Sequence, residues 1–364
     1  MTSKKQVIKK NKSPLEQERE FWISQTELKK VGLVVVEMLS HSGMGEKQLQ
    51  ALKACGTYLL YKATFDKTIK KNYRSNFCHN RFCPFCAVIR ARKDSMLINT
   101  VMELISKKEH KKFIFGTLTV PNVPGEELAD TIKQVNHAWK KMMARKQFKA
   151  VNKGYVRKLE VEYNAERNDF HPHLHFIMAV NWSYLTDKHY FISQPLWLQQ
   201  WQDVMGDSSI KEIKVKAVSD REGSVQELAK YESKDIVKNP KKFTDGAMYY
   251  YYQALKGKQK ISFNGLFRQY RSIIATIEDK AKKGEELTEK EKKVNELLPK
   301  DMNTYYWWLQ ANWAAGGYGH EYQKMTPEEV EQNKGNGVKD EPNNQPNSGK
   351  NGRDSSSSSE KTNS

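Results

Sequence analysis

The sequence predicts an α/β (α+β) fold: a central antiparallel sheet with helices on one side, preceded by a cysteine-bearing lobe. Three observations predict it. Two alternating segments, Tyr155 to Tyr163 and His171 to Val180, flank the polar stretch Asn164-Ala165-Glu166-Arg167-Asn168-Asp169, which reads as a hairpin turn. Segments with helical apolar spacing lie on either side of that hairpin. All four cysteines fall between residues 55 and 86, upstream of it.

The elements follow in order. Residues 1–14 are a Lys-rich arm, with five lysines in the first twelve positions. From Glu16 to Leu39 apolar residues recur at helical spacing and end in the run Val31-Gly32-Leu33-Val34-Val35-Val36. Lys112 to Val120 reads as a buried strand stopped by Pro121, and Glu126 to Lys146 as an amphipathic helix with Leu128, Ile132, Val135, Trp139 and Met143 on one face. After the hairpin come a short helix, Leu196 to Met205, and a strand, Ile210 to Val218. Ser224 to Val237 reads as a helix, with Gly223 before it and Asn239-Pro240 after it. Residues 279–296 are mostly charged and read as an exposed helix. Residues 303–318 are crowded with Tyr and Trp, suited to a buried aromatic core or to stacking on unpaired bases. From 326 the tail is polar and rich in Asn, Gly and Ser, so it cannot bury a core and is expected to be disordered.

With 364 residues and about 150 per domain, some two domains are expected. Lys plus Arg is 61 and Asp plus Glu is 43, giving a net charge of +18. The pI is near 9.4 and the mean hydropathy −0.79. Residues 331–364 hold five basic and five acidic side chains, so the whole excess sits on residues 1–330. A folded region this basic points to a polyanionic partner. No stretch approaches the ~20 apolar residues that cross a bilayer, which excludes an integral membrane protein. The basic N-terminus has no apolar stretch directly after it, so it is not a secretory signal and a cytoplasmic location is expected.

Four cysteines are too few for a disulfide scaffold, and clustered cysteines in a reducing compartment bind metal. Phe77-Cys78-His79-Asn80-Arg81-Phe82-Cys83-Pro84-Phe85-Cys86 carries a Cys-x-x-Cys pair that can wrap one ion in a tight turn. Cys55, Cys78, Cys83 and Cys86 make a four-thiolate set for structural zinc, with His79 as an alternative to Cys55. Arg74, Arg81, Arg90, Arg92 and Lys93 surround the site and are placed to meet phosphate.

The segment His171-Pro172-His173-Leu174-His175-Phe176 is the most informative. Alternation puts His171, His173 and His175 on one face, while Leu174, Phe176 and Met178 point into the core. On the preceding strand Lys158, Glu160 and Glu162 share a face. Residue numbers in an antiparallel pair keep a constant sum: near 335 Glu160 meets His175, near 333 it meets His173. Two imidazoles and one carboxylate, Glu160 or Glu162, suit Mg²⁺ or Mn²⁺ with positions left open for substrate oxygens. Further on, Glu227 and Tyr231 lie one helical turn apart, with Lys234 on the same side.

Taken together, these pieces resemble the replication initiators of small rolling-circle plasmids, within the HUH endonuclease superfamily. Cys55-Gly56 and the Phe77–Cys86 segment resemble the family's cysteine region, and Phe115-Gly116-Thr117-Leu118-Thr119-Val120-Pro121-Asn122 its first strand motif. Leu159-Glu160-Val161 with His171-Pro172-His173-Leu174-His175 resembles the metal motif, and Glu227-Leu228-Ala229-Lys230-Tyr231 with Lys234-Asp235 the nucleophile motif. Ile261-Ser262-Phe263-Asn264-Gly265-Leu266 resembles a late family segment. The resemblance covers about residues 50–270. It implies a metal-dependent nickase and strand transferase. Tyr231 would attack single-stranded origin DNA, leaving a 5′-phosphotyrosine and a free 3′-hydroxyl. His173, His175 and Glu160 would hold the ion, Lys234 would assist, and Glu227 would act as base in a terminating second cleavage. The chain then divides into the arm 1–14, a helical and zinc-binding region 15–95, an HUH catalytic domain 96–325 and the tail 326–364. Host helicase and polymerase are the implied partners, and a homodimer is open.

Two other readings stand beside it. A transposase or conjugative relaxase would share the chemistry, although relaxases usually carry their tyrosine before the histidines, and here it follows them by about 56 residues. A non-catalytic zinc-containing DNA-binding protein would leave the histidines inert.

Overall fold

The computed structural model describes residues 12–229 and 242–334. The chain enters through helix α1 (Pro14–Ser40), started by Ser13, which forms a reciprocal capping box with Glu16. Helix α2 (Glu46–Ala54) leads to strands β1 (Tyr58–Ala63) and β2 (Lys70–Ser75), and then to the long helix α3 (Pro84–Glu109). Strand β3 (Lys112–Thr119), helices α4 (Gly125–Ala144) and α5 (Lys146–Val151), and the hairpin β4 (Gly154–Asn164) and β5 (Asp169–Val180) follow. Next come α6 (Ser183–Thr186), α7 (Gln194–Met205), β6 (Ile213–Ala217) and α8 (Arg221–Ala229). The second described stretch holds α9 (Asp245–Leu255), β7 (Ile261–Asn264), α10 (Gly265–Lys283), α11 (Glu289–Asn295), β8 (Trp307–Ala314), β9 (Gly317–Lys324) and α12 (Pro327–Gln332). No described helix is long and apolar enough to cross a membrane.

The strands form two sheets, ordered β6-β3-β5-β4-β7 and β2-β1-β8-β9, with every neighbouring pair antiparallel. The α+β class and the central antiparallel sheet are therefore as expected. The helices are not confined to one side. Every β5 residue from Pro172 to Val180 is buried, and a strand buried on both faces needs cover on both. On one face Leu118, Leu174, Phe176 and Met178 pack with Leu128, Ile132, Val135 and Trp139 of α4. On the other, Phe113, Phe115, Ile177 and Ala179 pack with Ile98 and Val101 of α3, Val225 and Leu228 of α8, and Phe267 and Tyr270 of α10.

The hairpin turn builds itself from its polar residues. Asn164 Oδ1 accepts from the backbone N–H groups of Glu166 and Arg167, both at 3.0 Å, and Asn168 takes the left-handed conformation at φ 53°. Gly116 of β3 lies opposite Phe176 of β5, and a Cβ added there would fall 2.2 Å from the Phe176 ring, so the glycine makes room for the aromatic.

Two further segments differ from expectation, and a third lies partly outside the described residues. The helix expected at 279–296 is two: α10 ends at Gly284, left-handed at φ 69°, and α11 starts afresh from a Thr288–Glu291 capping box. The aromatic segment at 303–318 supplies strand β8, which pairs with β1 from Tyr58↔Asn312 to Ala63↔Trp307. Its Leu309 and Ala311 are fully buried beside Leu59 and Tyr61, while Trp22 of α1 stacks on His320 of β9. The helix expected at Ser224–Val237 is described as α8 only to Ala229; its remainder lies outside the described residues.

Candidate active site

The β4–β5 register pairs Glu160 with His173, Lys158 with His175 and Glu162 with His171, which is the sum of 333. Glu160 Oε2 lies 3.3 Å from His175 Nε2 and 3.8 Å from His173 Nε2. All three ligand atoms lie within 4.8 Å of one another, and all three side chains are buried. Glu162 is exposed, and His171 turns away, its Nδ1 3.0 Å from Asn122 Oδ1. Of the two candidate carboxylates, Glu160 is the one the fold brings to the imidazoles.

The rings are held for coordination. The backbone oxygen of His171 can only accept, so His173 Nδ1 donates to it at 3.2 Å and leaves the Nε2 lone pair facing Glu160. His175 Nδ1 pairs with Thr117 Oγ1 of β3 at 2.9 Å. Such outer partners orient ligating imidazoles. Burial pushes the Glu160 carboxyl up, but the hydrogen bond from His175 and the charges of Lys158, His175 and His173 outweigh it and hold the group at about 2. Burial, helped by His175 and opposed by Glu160, holds His173 at about 4. A charged carboxylate and a neutral imidazole are the states that a hard divalent ion requires.

Helix α8 closes the histidine-bearing face, because Val225 and Leu228 pack against Ile177 and Ala179 of the same face of β5. Glu227 on this helix is half-buried. Tyr231 and Lys234 lie outside the described residues; Tyr231 follows the buried Ala229 by two positions. The surroundings are cationic: on α3, burial pushes the Asp94 carboxyl up against the pull of Lys260, Arg90, Arg271 and Lys158.

The four cysteines converge from three elements. Cys55 caps the C-terminus of α2, Cys78 follows β2, and Cys83 caps the N-terminus of α3 with Cys86 in its first turn. Pro84 suits the first helical position and pre-forms the Cys-x-x-Cys knuckle. The Sγ atoms of Cys55 and Cys83 are 3.5 Å apart, those of Cys55 and Cys86 3.6 Å, and those of Cys78 and Cys86 3.7 Å. Four sulfurs ~2.3 Å from a central zinc are about 3.8 Å from one another, whereas a disulfide is about 2.05 Å, so the set fits an ion. His79 is exposed and outside the cluster. Hydrogen bonds with the other three sulfurs hold the Cys78 thiol down and, together with burial, push Cys83 up.

Sequence reasoning missed one group here and the burial of a second. Lys29 of α1 is buried, and its Nζ donates to the backbone oxygens of Lys53 at 2.5 Å and Cys55 at 2.8 Å, setting a cation beside the thiols. Lys158 was legible as a charge on the right face of β4, but nothing in the local pattern marked it as fully buried at the triad. Among the arginines, Arg81 Nη1 donates to the backbone oxygens of Leu255 and Lys258, Arg90 Nη2 donates to that of His79, and Arg92 is exposed.

Comparison with known proteins bears on this arrangement. The family model described as "Replication protein" matches residues 69–318, a span that encloses the triad, α8 and three of the cysteines. A "Protein rep" of Staphylococcus aureus is 46% identical over 195 residues, 53% of this chain and 84% of that protein. A "Protein rep" of Streptococcus pneumoniae serotype 2 (strain D39 / NCTC 7466) is 29% identical over 255 residues, 68% of this chain and 78% of that one. A third, from Lentilactobacillus hilgardii, is 29% identical over 239 residues, 63% and 76% of the two chains. No solved structure matches. The chain belongs to the replication protein family of plasmid replication initiators.

Proposed function

We propose that the chain starts rolling-circle replication by nicking single-stranded plasmid origin DNA in the cytoplasm, as an HUH-type nuclease. The observation that carries this reading is the convergence of Glu160, His173 and His175 on the sheet face that α8 covers. A divalent ion held by these three, Mg²⁺ or Mn²⁺, would supply Lewis-acid polarisation of the scissile phosphate. The Tyr231 oxygen attacks phosphorus and the bond to the 3′ oxygen breaks. The tyrosine proton leaves to solvent or a base, and the 3′ oxygen takes up a proton to become the priming hydroxyl. The 5′ phosphate stays on Tyr231. Lys234 offsets charge on the phosphate. In the terminating cleavage Glu227 takes a proton from water, so that no new covalent adduct forms.

The four-thiolate cluster is proposed as a structural zinc site, since its donors complete a tetrahedron and leave no position for substrate. Arg92, together with Arg81 and Arg90, which also brace the cysteine loop, would meet backbone phosphates and make binding strongly salt-dependent. A host helicase would unwind the duplex, a host polymerase would extend the 3′ end, and a homodimer would allow two chains to share an origin. The test is incubation of the purified chain with the supercoiled plasmid that encodes it and Mn²⁺, followed by mapping of the product. A single nick at one position, lost in Tyr231→Phe, is expected. Binding without any Mn²⁺-dependent nick would leave a non-catalytic DNA-binding protein as the reading.

A further inference from the structure

We infer that Lys158 is a phosphate-binding cation of the active site that couples ion binding to DNA binding; the inference rests on the function proposed above. Lys158 is 0% exposed, and its Nζ lies 3.4 Å from Glu160 Oε2, the same oxygen that faces both imidazoles. It pairs with His175 across the hairpin and shares the ligand-bearing face of β4 with Glu160. The group is thus fixed by the central strand pair and not carried on a loop.

Such a placement is unfavourable for an ion site considered alone. An ammonium that shares a carboxylate oxygen with a divalent ion repels that ion, and in a buried site the repulsion is little screened. An apolar side chain would fill the same strand position without opposing the ion. The arrangement becomes favourable when an anion enters. A phosphodiester carries one negative charge on two non-bridging oxygens, one able to face the ion and the other the ammonium. Lys158 therefore acts with the strand-borne ligands, whereas Lys234 belongs to the segment carrying the tyrosine. The consequence is reciprocal: DNA raises ion affinity and the ion raises DNA affinity, both through the same charge.

The test measures Mn²⁺ binding by calorimetry with wild type, Lys158→Gln, Lys158→Met and Lys158→Arg. Each is measured with and without a single-stranded oligonucleotide spanning the mapped nick, in a Tyr231→Phe background that blocks turnover. In wild type, DNA should raise Mn²⁺ affinity about tenfold, within the range usual for coupled sites. Without DNA, Lys158→Gln and Lys158→Met should bind Mn²⁺ more tightly than wild type, gain little from DNA, and, with Tyr231 restored, nick about a hundredfold more slowly. Lys158→Arg should keep most of the coupling. Weaker Mn²⁺ binding in a folded Lys158→Gln, or unchanged nicking by it, overturns this inference alone. Wild-type Mn²⁺ affinity that DNA does not raise also overturns it, whatever the variants do. A wild-type chain that binds no Mn²⁺ removes the ion site itself, and this inference with it.

Discussion

Glu160 and His173 stand directly opposite each other across the β4–β5 hairpin, with Oε2 and Nε2 3.8 Å apart. One step further along β5 on the same face, His175 comes to 3.3 Å of the same oxygen. A shift of the register by one residue would turn one strand's set to the other face, so hairpin geometry and the candidate ion site are a single requirement.

The ligand set makes the first prediction. Glu160→Gln and His173→Ala should each weaken Mn²⁺ binding by more than ~100-fold, beyond what loss of an outer-sphere partner causes. Thr117→Val, which removes the partner of His175, should cost about tenfold, and the exposed Glu162→Gln should cost nothing measurable. Calorimetric titration orders the four; a large loss in Glu162→Gln would relocate the site.

Zinc removal is the second. Purified chain should contain one zinc by elemental analysis, held at a site worth on the order of 10 kcal/mol of folding energy. Cys83→Ser, with its sulfur 3.5 Å from that of Cys55, should lose the metal and melt well below wild type. Retention of a full equivalent of zinc in that variant would rule out the four-sulfur set.

The third concerns packing under the site. Gly116→Ala places a methyl 2.2 Å from the Phe176 ring and should destabilise the chain by about 1–3 kcal/mol in urea melts. Adding Phe176→Leu should recover part of that loss, because the smaller side chain vacates the space. Equal additive losses in the double variant would show that the two positions do not compete.

These residues also show what the sequence makes legible. Period-two alternation alone set His173 and His175 on one face and Glu160 on the matching face of β4. It could not choose between sums of 333 and 335, because both keep the same faces together; the choice depends on the turn at Asn164 and Asn168. The cover on both sheet faces was foreshadowed by the unbroken apolar run Phe176 to Val180, which alternation reads as one buried face and one open one. Strands β1 and β2 carry no clear sequence signal, because β2, Lys-Lys-Asn-Tyr-Arg-Ser, is mostly polar and β1 finds its other partner in β8, some 250 residues away in sequence. The burial of Lys158 is a tertiary result that no local pattern carries.

Glu227 gives the fourth prediction. Its helix packs on the histidine face, yet Glu227 is not among the clustered ligands. Glu227→Ala should keep the initial nick near wild-type rate and impair termination, so that covalent adducts and over-length products accumulate. Loss of the first nick with normal termination products would assign Glu227 a different role.

The central claim is tested most directly by isolating the covalent product. The chain is incubated with Mn²⁺ and the single-stranded origin oligonucleotide, digested with protease, and the peptide carrying the 5′ phosphate is sequenced by mass spectrometry. The account predicts one adduct, on Tyr231, absent from Tyr231→Phe and from His173→Ala. Cleavage with no protein–DNA adduct, or an adduct on another residue that persists in Tyr231→Phe, would contradict it.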